Sequence, residues 1–360
     1  MEIEILDSAY ATKKKKWHLI LRALPQELQD IYFHPEYIGS FAHEHGSRGL
    51  MFVAQKGSDI WLYAFIIRRI FNIGGRRFQK EIFDIESAYG YGGPITNSKD
   101  RDFINSSNEA FAEWCKKNCV ISEFVRFHPL IQNQKWFSPG MAISRDRDTV
   151  SIDLLTMTES GLSVDQKTRN ILRRVEKSGL RVLEYSSAEG FEQFVDLYLS
   201  TMRRLDSDNY YLFNDKYFND LRELVAAHGW LYVAELNGKW VAAAIFLRGK
   251  RLIHYHLSAS DADNRIPGST NILISHAAQR GHQLGYLRLH LGGGRTTASN
   301  DSLLIFKRKM ATDVHSFFVG KRIHDSETYR ALCDIWTNEY PQLSGMHGSK
   351  LLCYRYTETI

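Results

Sequence analysis

A pattern that occurs twice, half the chain apart, restricts what this 360-residue sequence can fold into. Gly49-Leu-Met-Phe-Val-Ala54 recurs in kind as Gly229-Trp-Leu-Tyr-Val-Ala234. A short glycine-bearing turn follows each copy, with Gly57 in the first and Asn237-Gly238 in the second, and then an apolar run, residues 60–67 and 240–247. Each copy reads as a β-hairpin, because an Asn-Gly pair accepts the positive φ angles of the tightest hairpin turns. Recurrence at half-length predicts two similar domains in tandem, residues 1–150 and 151–360. The competing reading is chance likeness between two common hairpins.

The remaining pattern is a mixed α/β alternation. In the first half, residues 81–89 read as a strand, 102–118 as a helix and 122–128 as a strand, with the glycine turn Tyr89-Gly-Tyr-Gly-Gly-Pro94 between. In the second half, 251–260 is a strand and 269–284 a helix stopped by Gly285. Strands follow at 286–291, 314–319 and 351–356, with a helix over 326–339. Between the halves, residues 165–176 form a basic amphipathic helix with Ile171, Leu172 and Val175 towards a core, and helices over 189–203 and 215–227 come next. No heptad arm is long enough for a coiled coil.

Composition excludes several classes. The 44% hydrophobic and 24% charged content is that of a globular protein. A net charge of +5 falls short of a dedicated nucleic-acid binder, so no DNA partner is expected, while anionic small molecules or a tRNA end remain compatible. Cys115, Cys119, Cys333 and Cys353 are too few for a disulfide framework and lack zinc spacing. His43-Glu-His45 does not have the spacing of a metalloprotease helix, so no metal site is expected. No run is long enough for a transmembrane segment and the N-terminus lacks signal-peptide order, which predicts a cytoplasmic protein. The lysine run 13–16 reads as a solvated segment or a phosphate contact.

The most informative stretch is residues 286–311, YLRLHLGGGRTTASNDSLLIFKRKMA. A strand exits into Gly292, Gly293 and Gly294, which let the backbone approach a ligand, and Lys307, Arg308 and Lys309 follow. Such a pairing suits an anionic or carbonyl-bearing ligand. Arg308 can contact phosphate or be solvated; Asp301 can orient a cation or amine, or cap a turn. His254 and His256 share one face of their strand and Tyr255 the other. Either histidine can act as a base near neutral pH or sit in the core with a satisfied hydrogen bond. Asp206, Tyr210 and Tyr211 lie in a polar, aromatic loop suited to a sugar-bearing acceptor or to a plain connection. Tyr91 beside Gly92 and Gly93 is a second candidate wall, or part of a tight turn.

Taken in order, YGYGGP, KTRNILRRVEKSGL (167–180), YYLF (210–213), RLIHYHLSAS and LGGG…FKRK resemble the FemAB-like acyltransferases. That resemblance implies two GNAT-like domains and transfer of an aminoacyl or acyl group to an amine. The donor would be aminoacyl-tRNA or acyl-CoA, with no permanently bound cofactor, and the acceptor a small-molecule, lipid-linked or nucleotide-linked glycan precursor of the cell envelope or surface polysaccharide. It makes Lys307 the first catalytic candidate, holding the acyl terminus or the developing oxyanion. Acyl-CoA enzymes of the GNAT type carry a phosphate loop entering the main helix. The matching stretch here is Arg265-Ile-Pro-Gly268-Ser-Thr270, in which Thr270 departs from the small residue required. An alternative is a catalytically inactive GNAT-like module that binds nucleotide or RNA through the basic helix and the FKRK segment.

Overall fold

The structure is a computed structural model that describes residues 1–43, 45–137, 140–158, 161–205 and 212–357. The chain divides into two compact units, one of residues 1–28, 32–146 and 317–360, the other of 29–31 and 147–316.

The first unit opens with strand β1 (Glu2–Asp7), helix α1 (Ala11–Ala23) and the short α2 (Pro35–Gly39). The hairpin β2 (Ser47–Lys56) and β3 (Asp59–Arg69) follows, then a two-stranded ribbon, β4 (Asn72–Ile73) and β5 (Arg76–Arg77). Next come β6 (Phe83–Glu86), β7 (Gly93–Thr96), α3 (Arg101–Lys117) and β8 (Val120–Arg126). Strand β9 (Ala142–Asp153) leads into the second unit, which continues with α4 (Gln166–Lys177), β10 (Arg181–Tyr185), α5 (Ala188–Arg204) and α6 (Asp215–His228). It goes on with β11 (Gly229–Leu236), β12 (Lys239–Arg248), β13 (Leu252–Ser260), α7 (Ser269–Gln283), β14 (Arg288–Gly293) and α8 (Ser302–Arg308). Strand β15 (Asp313–Ile323) returns to the first unit, which ends with α9 (Ser326–Glu339) and α10 (Pro341–His347).

The two units share one topology. Strand order in the first is β1-β2-β3-β6-β8, closed by residues 317–323 of β15; only the β6–β8 pairing is parallel. In the second it is β10-β11-β12-β13-β14, closed by residues 147–153 of β9; only β13–β14 is parallel. The repeated hairpins, β2–β3 and β11–β12, hold the same place in each. The closing strands are exchanged: each follows one repeat in sequence and completes the sheet of the other.

Local chemistry accounts for the elements. Asn237 and Gly238 take φ values of 51° and 76°, the left-handed pair that turns β11 into β12. Asp100, Asp165, Ser187, Asn214 and Asp325 cap α3, α4, α5, α6 and α9 through their side chains, each accepting from a first-turn N–H. In the second unit Leu273, Ile274, Ala277 and Ala278 of α7 pack with Tyr232, Ala242, Ala244, Phe246 and Leu289 in one core. The small residues of β12 let the helix approach closely. Truncating one of the larger side chains, such as Leu289, costs about 2–5 kcal/mol.

Residues 351–356 do not form the expected strand. They make turns and a 3₁₀ helix, Cys353–Arg355. Four consecutive residues, Leu351 to Tyr354, are buried together against Leu332, Trp336 and Leu343. The indole of Trp336 also donates to the carbonyl of Tyr356 (2.7 Å) and holds the segment coiled. The other expected helices and strands form, with ends shifted by at most four residues.

Candidate active site

The site begins where two parallel strands part. β13 and β14 pair only at Leu252–Arg288, Ile253–Leu289 and His254–His290. Both strands then continue, to Ser260 and to Gly293, with no further pairing between them among the described residues. β14 turns towards β9 through a bulge after His290, where Gly292 takes a φ of 76°. That angle is strained for any residue with a Cβ. The diverging ends leave backbone groups of β14 open to other partners.

Lys307 takes one of them. Its ammonium donates to the carbonyl of Gly293 at 2.8 Å, and its Nζ lies 5.8 Å from the ring centre of Tyr255 on β13. The side chain is buried, and that burial pushes its pKa down to about 8, with Asp301 acting in the opposite direction. Burial holds the Tyr255 phenol up at about 12, so it stays neutral near pH 7.

Asp301 builds the loop. One carboxylate oxygen accepts from the N–H groups of Leu303 and Leu304 and so caps α8; the other accepts from Arg295 N, Thr296 N and the Thr296 hydroxyl. Burial works to raise its carboxyl pKa, but these hydrogen bonds outweigh it and hold the group below the usual carboxylate value. Gly294 is required here by space: a Cβ would lie 2.4 Å from the Asp301 carboxylate. Asp301 caps the helix, and its charge acts to raise the pKa of Lys307.

Two β9 residues that sequence reasoning passed over complete the clasp. Arg147 donates to the carbonyls of Gly294 (3.1 Å) and Arg295 (3.0 Å), and Asp148 pairs with Arg308 at 2.9 Å. Arg308 is thereby engaged in an ion pair. The charged run 145–148 within β9 was the available signal, but nothing in it specifies the strand it would meet.

The histidines lie elsewhere. Side chains alternate along β13, so with Tyr255 directed towards Lys307, His254 lies on the opposite face of the sheet. His256 joins that face, with its ring nitrogen 2.8 Å from the Tyr217 hydroxyl of α6. His254 bonds Asp30 at 2.7 Å, both groups buried, and stands edge-on to His290 with ring centres 5.6 Å apart. Burial first, and His254 second, push the His256 pKa down to about 3, far below that of a base poised for neutral pH. Lys307 and Asp301 are therefore brought together with the three glycines, and the two histidines are not.

The other candidates are dispersed. A Cβ on Gly268 would lie 2.6 Å from Ile171 and 2.7 Å from Val175, so this glycine is needed for the close approach of α4 to the start of α7. Arg265 is exposed and Thr270 half-buried beside it. Tyr91 belongs to the first unit, buried in a cluster with Tyr32, His128 and Phe317. Asp206, Tyr210 and Tyr211 lie outside the described residues.

Residues 163–301 match the acetyltransferase (GNAT) domain family. The sequence finds no match among curated proteins. Among solved structures, FemX is similar over 92% of this chain and 99% of its own, with a TM-score of 0.68 and 13% identity. L-PGS from Bacillus licheniformis is similar over 86% of this chain and 91% of its own, with a TM-score of 0.55 and 13% identity. The C-terminal domain of a putative lysylphosphatidylglycerol synthetase from Agrobacterium fabrum gives 89% and 94%, with 0.53 and 15%. At such identities the likeness is one of fold, and the fold is the expected mixed α/β pair of GNAT-like units. No helix among the described residues is long and apolar enough to cross a membrane.

Proposed function

We propose that the second unit catalyses N-acyl transfer, with Lys307 as the cation that meets the reacting carbonyl. The observation that carries this reading is a buried lysine held by a backbone carbonyl at the splayed strand ends. An ammonium has three N–H donors. One is committed to Gly293, which fixes the head group and leaves two for an incoming oxygen. As a neutral amine attacks the acyl carbonyl, negative charge grows on that oxygen, and a pre-positioned cation in a water-poor site lowers the barrier without reorganising. A pKa of about 8 also allows Lys307 to exchange a proton with the attacking or leaving group at small cost.

The acceptor we assign is an amine on a cell-envelope or surface-polysaccharide precursor, and the donor aminoacyl-tRNA or acyl-CoA. The neighbour named as a putative lysylphosphatidylglycerol synthetase supports an aminoacyl cargo on an envelope component. The role of Gly268 favours tRNA over CoA. Its missing Cβ makes room for Ile171 and Val175, so it is accounted for without a phosphate ligand.

The test is a transfer assay with the purified chain, given either a pool of charged tRNAs or acetyl-CoA together with envelope precursors bearing free amines. Calorimetric titration with acetyl-CoA runs alongside it. Transfer from charged tRNA without CoA binding supports the reading as stated. Micromolar CoA binding, about −8 kcal/mol, moves the donor to acyl-CoA. Absence of transfer from both donors overturns it.

A further inference from the structure

We propose that the first unit carries a site for a divalent transition metal of the zinc class, formed by His18, His34 and Glu36. His18 lies on α1, while His34 and Glu36 flank the start of α2. One potential ligand atom from each lies within 4.8 Å of the other two. The imidazole Nε2 of His18 is 3.1 Å and 3.0 Å from the two carboxylate oxygens of Glu36, and the rings of His18 and His34 meet edge to face at 5.3 Å. Two imidazoles and a carboxylate are the three-ligand set of open zinc sites. With metal–ligand bonds of about 2.0–2.2 Å, neighbouring ligand atoms in a tetrahedral site stand roughly 3.3 Å apart. The His18–Glu36 contact needs to open by only a few tenths of an ångström.

The scaffold fixes these groups in advance. Trp17, next to His18, is fully buried and its indole donates to the carbonyl of Phe33, next to His34, at 2.8 Å. Pro35 stands at the first position of α2, and the buried Tyr37 donates its hydroxyl to the carbonyl of Tyr89 at 2.6 Å. Both ligand-bearing segments are thus tied to each other and to the core, which is what a preformed site requires. His18 and Glu36 remain 27% and 37% exposed, so the ion can enter and keep a water as its fourth ligand. The spacing of one histidine on a helix and a His-Pro-Glu sixteen residues later matches no common metal motif, and sequence reading accordingly missed it.

The experiment uses the full, tag-free chain, stripped with chelator and titrated with Co²⁺ by visible absorption and with Zn²⁺ by calorimetry. One ion per chain is expected, with the d–d bands of a four- or five-coordinate site. His18→Ala and His34→Ala should each weaken affinity at least tenfold. Glu36→Gln, which keeps the side chain's shape, should do the same and serves if a histidine variant does not fold. Saturable binding should also weaken below about pH 6.5, where protons compete for imidazole. Absence of stoichiometric binding, or binding that folded His18→Ala, His34→Ala or Glu36→Gln leaves unchanged, overturns the proposal.

Discussion

The ammonium of Lys307 and the carbonyl of Gly293 are joined by a 2.8 Å hydrogen bond that ties helix α8 to the end of strand β14. The bond directs a buried positive charge into the gap between two parallel strands, and the first prediction tests that charge. Lys307→Ala should lower turnover at least tenfold, an effect of about 1.4 kcal/mol on the barrier. Steady-state kinetics with a circular-dichroism check of folding decide it; unchanged kinetics in a folded variant remove Lys307 from the site.

The same lysine should leave a signature in stability. Its folded pKa, about 8, lies below the ordinary 10.5. Between those values the unfolded chain binds more protons, so this group makes stability rise with pH from about 8 to 10.5, by roughly 3 kcal/mol in the limit. Lys307→Met should lose that rise. Urea unfolding of both proteins at pH 7.5 and 10.5 measures the difference; equal slopes would show an unperturbed lysine.

Asp301 raises the pKa of Lys307 while burial lowers it. Asp301→Asn should therefore move the lysine further down and shift the alkaline limb of the pH–rate profile to lower pH. The variant should also lose stability, because an amide nitrogen cannot accept the bonds that Arg295 and Thr296 make to the second carboxylate oxygen. A profile that stays in place would separate Asp301 from Lys307 electrically.

His256 acts on stability in the same sense, in a lower pH window. Its pKa falls from 6.5 to about 3 on folding. Its contribution is complete above pH 6.5 and is lost as pH drops towards 3, because only the unfolded chain takes up the proton. His256→Gln should flatten the acid loss between pH 6.5 and 4 while being less stable at pH 7. Acid-unfolding curves that superpose would contradict the buried neutral ring.

Among the cysteines, Cys333 should react first. The hydrogen bond with Cys353, whose sulfur is 3.6 Å away, brings its pKa down to about 7 although burial opposes this. Burial pushes the Cys115 thiol up, and hydrogen bonding to Cys333 together with burial does the same at Cys353. Iodoacetamide at pH 7.5 followed by peptide mass spectrometry should find Cys333 labelled well before either of them; preferential labelling of Cys115 would refute it.

Much of this fold can be read in the chain because its signals are local. Asn237-Gly238 marks a hairpin through the angles it permits, and the apolar spacing of 269–284 marks α7. The candidate site was legible to the extent that its parts are close in sequence: Gly293, Asp301 and Lys307 span one strand, loop and helix. Its remaining parts come from afar. Arg147 meets Gly294 across 147 positions and Asp30 meets His254 across 224, and neither residue carries a mark of its partner. The strand expected at 351–356 failed for a related reason. Its apolar run matches a buried strand, but the surface it covers is supplied by α9 and α10, whose packing accepts consecutive residues.

The exchanged closing strands bear on how the protein is made. β8 gains its last neighbour from residues 317–323, which follow the whole second unit in sequence. A ribosome delivers the first repeat before them, so that part must wait with the edge of β8 uncovered until residues 317–323 have emerged. An open strand edge invites pairing with other chains. Synthesis of this protein therefore includes an interval of vulnerability that a pair of self-contained modules would not have.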